Sequence, residues 1–361
     1  MTVLGTIVGL ALIFSALWDA FETIVLPRRI VRRVRIAALV YRATWRPWAR
    51  LARHVKMRRR EAFLSYFGPL VVILLFVVWA LALLVGFALL QWAAGSALVI
   101  SGGGRPSFVT DLYMSGTTFF TLGLGDVVPH TGVARLITVV EAGTGFGFLA
   151  LVISYLPVLY QAFSRREVSI SLLDARAGSP PVAVELLRRN GWSGDATSLA
   201  ALLAEWERWA AELLESHLSY PSLAYFRSHH ENQSWLTALT AILDTCALLI
   251  VGVDGAPPRP ARLTFAMARH AMVDLGQVLQ APPKTEYEDR LPAGDLEKLR
   301  ALLAEAGIPL RDGPDADRKL AVLRRQYEPH VVALSRRLLI PLPPWLPAPG
   351  AHDDWETSAW E

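Results

Sequence analysis

Between residues 117 and 126 the chain reads Thr-Thr-Phe-Phe-Thr-Leu-Gly-Leu-Gly-Asp. Two glycines at spacing two, a threonine just before them and an acid just after suit one kind of chemistry. A site that strips water from a cation such as potassium must replace the water oxygens with backbone carbonyls aimed at one axis. Glycine at alternate positions lets the backbone take the dihedrals that this aiming requires. Gly123 and Gly125 supply those positions, with Leu122 and Leu124 between and before them. Thr121 can add its hydroxyl oxygen at the inner end, and Asp126 places negative charge at the outer mouth. One chain provides one strand of carbonyls and four strands complete a site. A homotetramer holding K+ ions is therefore expected, with no organic cofactor.

Such a strand must be positioned by membrane elements, and the composition allows them. Of 361 residues only 19% are charged and 53% are hydrophobic, with the apolar material concentrated before residue 165. Val3–Leu26, Phe63–Trp92 and Val133–Phe163 each exceed the roughly 20 apolar residues that a helix needs to cross hydrocarbon. The first lacks a basic start and a small-residue cleavage site and carries Asp19 and Glu22, so it reads as a retained helix rather than a signal peptide. Ser107 to Phe120 is too short to span and follows the turn Ser-Gly-Gly-Gly-Arg-Pro, which fits a re-entrant helix with an extended return.

Loop charge orients these spans. Pro27–Arg60 holds 13 Lys and Arg and no acid, which places it on the cytoplasmic side of a plasma membrane, and the richness in alanine and arginine suggests a bacterial inner membrane. The chain is then multi-pass with its C-terminal region cytoplasmic. Within the basic segment Arg42, Arg46, Arg50 and Arg53 recur at helical spacing among Trp45, Trp48 and Leu51. That pattern predicts a helix lying on the inner leaflet, its arginines on anionic lipid phosphates and its indoles at the interface. Arg29, Arg32 and Arg35 stand three apart as in a voltage sensor, but so many charges without a continuous apolar face make membrane burial expensive. Asp19 and Glu22 are expected to pair with the neighbouring arginines, and the first helix to pack on the periphery.

With these residues in view, Tyr113 to Pro129, "YMSGTTFFTLGLGDVVP", resembles the potassium channels built from two helices and a pore loop, particularly the bacterial members. Tyr113, Ser115, Thr118, Thr121, Gly123, Gly125, Asp126 and Pro129 match the family pattern, and the resemblance covers residues 63–165. It implies an outer helix, a re-entrant pore helix, a selectivity filter at 121–126 and an inner helix. Tyr113, Ser115, Thr118 and Phe119 then support the filter from the pore helix. Leu124 departs from the pattern, since the family carries Tyr or Phe there and leucine cannot donate the tyrosine's hydrogen bond to the pore helix. Some two-pore relatives resemble this chain in carrying Gly-Leu-Gly, so selectivity over sodium is the property in question. Phe119 and Phe120 are candidate packing supports.

The third span resembles the family's inner helix. Gly143, Gly145 and Pro157 are candidate gate positions, because glycine weakens a helix and proline removes a hydrogen bond. The same glycines, with Gly147, suit close helix packing equally well. Glu141 is expected to bond pore-helix groups or, alternatively, to face the cavity.

After residue 164 there are 21 basic and 26 acidic residues, which does not argue for a nucleic-acid partner. Stretches such as "SLAALLAEWERWAAELLESHL", "SWLTALTAILDTCALLIVG" and "ARLTFAMARHAMVDLGQVL" predict amphipathic helices, the first capped by Asp195 or Thr197. No Gly-x-Gly-x-x-Gly follows a strand, so a nucleotide-binding regulatory domain is not expected. His270 and Asp274 have the spacing of two metal ligands on one helix face and equally of an ordinary polar pair. His217, His229, His230, Glu231 and Asp244 complete that constellation. Cys246 is the single cysteine, so no disulfide forms within one chain.

The expected fold is an all-α membrane protein. Residues 1–26 form an N-terminal transmembrane helix, 27–62 a basic interfacial segment, 63–165 a potassium-channel-like pore domain, 166–340 a helical cytoplasmic domain and 341–361 a Pro-rich acidic tail. The expected function is a tetrameric, non-enzymatic channel passing K+ passively, gated or assembled by the helical domain and an unidentified cytoplasmic ligand. A non-selective or sodium-permeable channel and a non-conducting membrane sensor are the alternatives.

Overall fold

The computed structural model describes residues 2–26, 35–190, 196–230, 232–253, 258–348, 350, 353 and 356. Arg29, Arg32, Asp195, Glu231 and most of the last dozen residues lie outside the described residues. The chain forms two compact units, 1–160 and 161–361.

The first unit is built from α1 (Thr2–Ala20), α2 (Ile36–His54), α3 (Met57–Ser65), α4 (Phe67–Ala93), α5 (Phe108–Phe119) and the first part of α6 (Gly132–Ala177). Thr2–Val25, Arg59–Ala93 and Gly132–Ala177 are long and apolar enough to cross a membrane. Pro157 lies inside α6 without ending it. α1 packs on α4 through glycine. A Cβ at Gly9 would stand 2.8 Å from the Gly86 carbonyl oxygen, and one at Gly86 2.7 Å from Ile13 Cγ1. The two backbones touch because neither position carries a side chain, the device that membrane helices use where no hydrophobic gradient drives association. Val3, Leu4, Ile7, Leu10 and Phe14 remain exposed along α1.

At the other end of α1 the acids find the partners expected of them, plus others. Asp19 Oδ2 accepts from the Ala37 backbone N–H at 2.9 Å and from Trp79 Nε1 at 2.9 Å. Arg35 Nε lies 3.6 Å from Asp19 and 3.5 Å from Glu22. One buried carboxylate thus ties α1, the N-terminus of α2 and α4, where a helix dipole favours negative charge. The indoles of α2 behave differently from the interfacial expectation. Trp45 is buried edge-on against Phe67 at 4.7 Å and Trp48 stacks on Phe63 at 4.6 Å, so both serve packing on α3 and α4. Arg46, Arg50 and Arg53 are exposed, while half-buried Arg42 donates to the Ala38 carbonyl at 3.1 Å.

Within the largely helical fold there is one short two-stranded antiparallel sheet among the described residues. β1 (Leu98–Ile100) pairs with β2 (Val127–Pro129), Val99 opposite Val128. Leu98 and Val127 point to one face and pack on Met114 of α5. Three-residue strands carry too little periodicity to be read from a sequence, and here pairing with a distant segment decides them.

The second unit takes the end of α6, then α7 (Ala183–Arg189), α8 (Ala196–Ser219), α9 (Trp235–Gly252), α10 (Pro258–Val278), α11 (Ala293–Glu305), α12 (Pro314–Arg325) and α13 (Glu328–Leu338). α9 is apolar and long enough to cross a membrane, yet it is the central helix of this unit. The amphipathic expectation for it is corrected. Its residues are buried on every side because flanking helices wrap it, the arrangement of an apolar helix in a protein core. Thr197 falls inside the first turn of α8 rather than at its cap.

The described part of the Pro-rich C-terminal segment packs on this unit. Trp345 is buried, its ring 5.6 Å from both the Arg290 and Arg324 guanidinium carbons. Arg290 donates to the Pro343 carbonyl at 2.9 Å and binds Asp244 through both terminal nitrogens, at 2.7 and 3.2 Å. Farther on, Asp353 accepts from Arg189. An arginine paired with a carboxylate through both terminal nitrogens and lying over an indole ring is well compensated on burial, and this draws 341–345 into the unit.

His217, in α8, is buried against Arg166 of α6. Its Nδ1 lies 2.8 Å from the Leu213 carbonyl and its Nε2 3.4 Å from Arg166 Nη1. Arg166 also donates to the Leu223 and Phe226 carbonyls, each at 2.9 Å. Burial, then the Arg166 charge, pushes His217 down from 6.5 to about 3. A histidine depressed in the fold takes up its proton sooner when unfolded, so its contribution is fully present above pH 6.5 and lost as pH falls toward 3. Urea titrations of the full chain in detergent should therefore show the second unit weakening over that interval, with a shallower fall in His217→Gln. A second measurement addresses α1. Its Gly5 Cβ position is 3.4 Å from Ala93 Cβ, so the pair Gly5→Cys and Ala93→Cys should oxidise to a disulfide, and Gly9→Leu should prevent it.

Candidate functional site

The Thr121–Asp126 segment is set by what comes immediately before it. α5 starts at Phe108, where the Ser107 backbone N–H donates to Thr110 Oγ1 at 3.1 Å. Its last turn cannot continue, because the freed Thr117 carbonyl accepts from Leu122 N–H at 2.8 Å and Gly123 N–H at 3.3 Å. Thr121 N–H donates to the Thr118 carbonyl at 3.0 Å. The chain thus turns sharply at the end of α5.

From there the backbone alternates. Thr121 has φ +57°, Gly123 +55° and Gly125 +79°, while Leu122 and Leu124 between them stay at negative φ. Positive φ at every second residue breaks the regular alternation of carbonyl directions that a β-strand would have. For the glycines this conformation is free of Cβ cost. For the β-branched Thr121 it is strained by about 1–2 kcal/mol, a conformation that persists only where its surroundings impose it. All six residues are exposed in the single chain, Leu124 by 64%.

Three braces hold the outer end. The Tyr113 hydroxyl donates to Asp126 Oδ2 at 2.9 Å, joining α5 to the segment directly. The Asp126 carbonyl accepts from the Ser101 N–H at 2.8 Å, and β2 follows at once in its pairing with β1. Asp126, expected as a mouth charge, is thus also a structural joint. Behind α5, Ser96 Oγ donates to buried Asp111 at 2.6 Å, and Gln91 Nε2 donates to the Ala134 carbonyl and Thr138 Oγ1, each at 3.1 Å. The sequence reading names Tyr113 but not Ser96, Gln91, Ser101 or Asp111. No local pattern marks them, since each acts on a partner far along the chain.

The inner helix meets α5 at two points. The Ser115 hydroxyl donates to the Leu84 carbonyl at 2.9 Å and bonds Glu141 Oε1. Of the two sites considered for Glu141, the structure brings it to the pore helix of its own chain. One turn on, a Cβ at Gly145 would collide with the Phe119 backbone, whereas at Gly143 and Gly147 it would meet nothing within 4 Å. Close packing explains Gly145. Phe119 is buried against Phe148 at 5.8 Å and Phe120 at 5.3 Å. Thr118 is half-buried.

The remaining candidates do not gather. His270 Nε2 and Asp274 Oδ2 are 3.8 Å apart on the surface of α10, with His270 largely exposed. No group of three or more His, Cys, Asp or Glu able to hold a metal is found among the described residues. His229 packs against Phe163 and His217 against Arg166.

Residues 71–161, from the first turns of α4 through α5 and the carbonyl segment into α6, match the family model described as ion channel. An uncharacterized membrane protein of Bacillus subtilis strain 168, YdjJ, is 24% identical over 249 residues, covering 68% of this chain and 70% of the relative. No solved structure matches. The chain is a membrane protein with a largely helical, channel-like region, and the likeness to the ion channel family lies in residues 71–161.

Proposed function

We propose that the chain is a potassium channel, assembled as a homotetramer, that passes K+ passively through a filter formed by Thr121, Leu122, Gly123, Leu124, Gly125 and Asp126. The observation that carries this reading is the alternation of positive φ at 121, 123 and 125, immediately after a helix whose last carbonyls hold the segment. Four copies of that strand around one axis supply the carbonyl cage that one copy cannot. Tyr113, Ser115, Thr118 and Phe119 act as its support. Gly143 and Pro157 remain candidate bending points of the inner helix, with Gly145 engaged in packing. The protein is not an enzyme under this reading.

The charge of the basic segment supports a topology in a bacterial inner membrane with that segment and the second unit cytoplasmic, the second unit acting in gating or assembly, with or without a ligand of its own. Arg46, Arg50 and Arg53, exposed on α2, bind anionic lipid headgroups, each contributing about 1 kcal/mol near a charged leaflet. Arg42 joins them less directly. A second reading, a cation channel that does not discriminate sodium, is favoured by one observation: Leu124 is exposed and cannot donate to the pore helix.

The two readings part on reversal potential. Purified protein in planar bilayers under opposed KCl and NaCl should reverse near the potassium equilibrium potential, and Gly123→Ala should abolish current. Reversal near zero, moved toward potassium by Leu124→Tyr, would establish the non-selective reading. An absence of current in wild type under every gating condition would leave a non-conducting sensor.

A further inference from the structure

Glu141 is a carboxylic side chain at 1% exposure within an apolar membrane helix, and one of its oxygens, Oε2, has no hydrogen-bond partner among the described residues. Placing such a group there is costly, and packing alone would be served better by leucine. Its other oxygen bonds Ser115, whose hydroxyl also reaches the Leu84 carbonyl at 2.9 Å. Three helices, α4, α5 and α6, therefore meet at one polar point.

That point belongs to a repeating contact. Glu141 and Gly145 are one turn apart on α6, and the residues they meet, Ser115 and Phe119, are one turn apart on α5. Gly145 brings the two backbones together and Glu141 fixes their register along the axis. Between the two contacts on α5 lies Thr117, whose carbonyl receives Leu122 N–H and Gly123 N–H. A slide or rotation of α5 moves that carbonyl, and with it the first part of the carbonyl strand. The route from Glu141 to the strand is thus Ser115, the α5 backbone, Thr117 O, then residues 122 and 123.

We infer that Glu141 is a positioning residue for cation discrimination, holding α5 through Ser115 and so setting the width of the Leu122–Gly123 carbonyls. This rests on the channel reading above. It also supplies a physical answer to Leu124. A filter without an aromatic donor at its centre is held from outside itself, by Tyr113 and Ser101 on Asp126 at the outer end and by Glu141 through α5 at the inner end.

The test uses the full chain as wild type, Glu141→Leu, Glu141→Gln and Ser115→Ala. Each is sized by gel filtration, measured for reversal potential under opposed KCl and NaCl, and titrated in detergent with each salt by calorimetry. With assembly unchanged, Glu141→Leu and Ser115→Ala should lower potassium-over-sodium preference at least about fivefold, the scale of one buried hydrogen bond. Glu141→Gln, whose amide can still hydrogen-bond the Ser115 hydroxyl while that hydroxyl donates to Leu84, should recover most of it. Wild-type preference in all variants would overturn the inference while leaving the channel standing. A glutamine variant as impaired as the leucine one would also overturn it, reducing Glu141 to a charge effect. Loss of assembly in Glu141→Leu with normal preference in Ser115→Ala would make Glu141 an assembly residue and likewise overturn it. A wild type that neither conducts nor distinguishes the two salts in calorimetry would overturn the channel reading, and this inference with it.

Discussion

Backbone that leaves the helical conformation between membrane spans must be held by protein, because hydrocarbon offers its N–H and C=O groups nothing. Residues 121–126 carry that requirement further, since a backbone with positive φ at every second residue forms no regular ladder of its own. Their N–H groups and flanks must be fixed by something else. The structure meets this by turning the chain sharply at the end of α5, so that Thr117 and Thr118 carbonyls take the first N–H groups, and by passing the outer end to a two-stranded sheet. Most of the first unit follows from the need to keep α5 still. α4 contributes the Leu84 carbonyl, α6 contributes Glu141 and Gly145, and the Leu98–Met114–Val127 cluster seats the sheet on the helix.

The same economy governs the charges. Asp19 is fully buried, yet it accepts from an amide at a helix N-terminus and from an indole, with Arg35 nearby. In the second unit Asp244 and Glu328 are buried with Arg290 between them, and the Tyr327 hydroxyl donates to Asp244 at 2.5 Å. Ionised groups removed from water are tolerable only in such company, and removing one partner costs more than the pair ever contributes. These clusters locate helices as much as they stabilise them. Arg290 fixes α9 and the segment leading to Trp345 at once, which is why residues beyond 340 belong to the unit.

Much of this was legible from residue order. Long apolar runs report membrane helices because hydrophobic length is a local property, and the Gly-x-Gly-Asp spacing reports a special backbone because only particular residue types tolerate it. The positive φ at Gly123 and Gly125 lies where the glycines are. The pairing of Asp19 and Glu22 with arginine was likewise foreseeable from their position beside a basic segment. Other features were misread for a physical reason. Apolar spacing in α9 resembles one buried face, and only the helices packed around it make every face a core face. Trp45 and Trp48 have the composition of an interfacial belt, but Phe63 and Phe67 lie within reach of them.

Sequence by itself determined that the chain is a helical membrane protein with a glycine-punctuated loop between two spans, because hydrophobic length and backbone permissiveness are written residue by residue. Tertiary structure alone decided what holds that loop. Tyr113 meeting Asp126, Ser101 closing on its carbonyl, and Glu141 and Gly145 bearing on α5 are contacts between residues 13 to 26 positions apart or thereabouts in order. No local pattern encodes such pairings, since each depends on where three helices and a short sheet come to rest together.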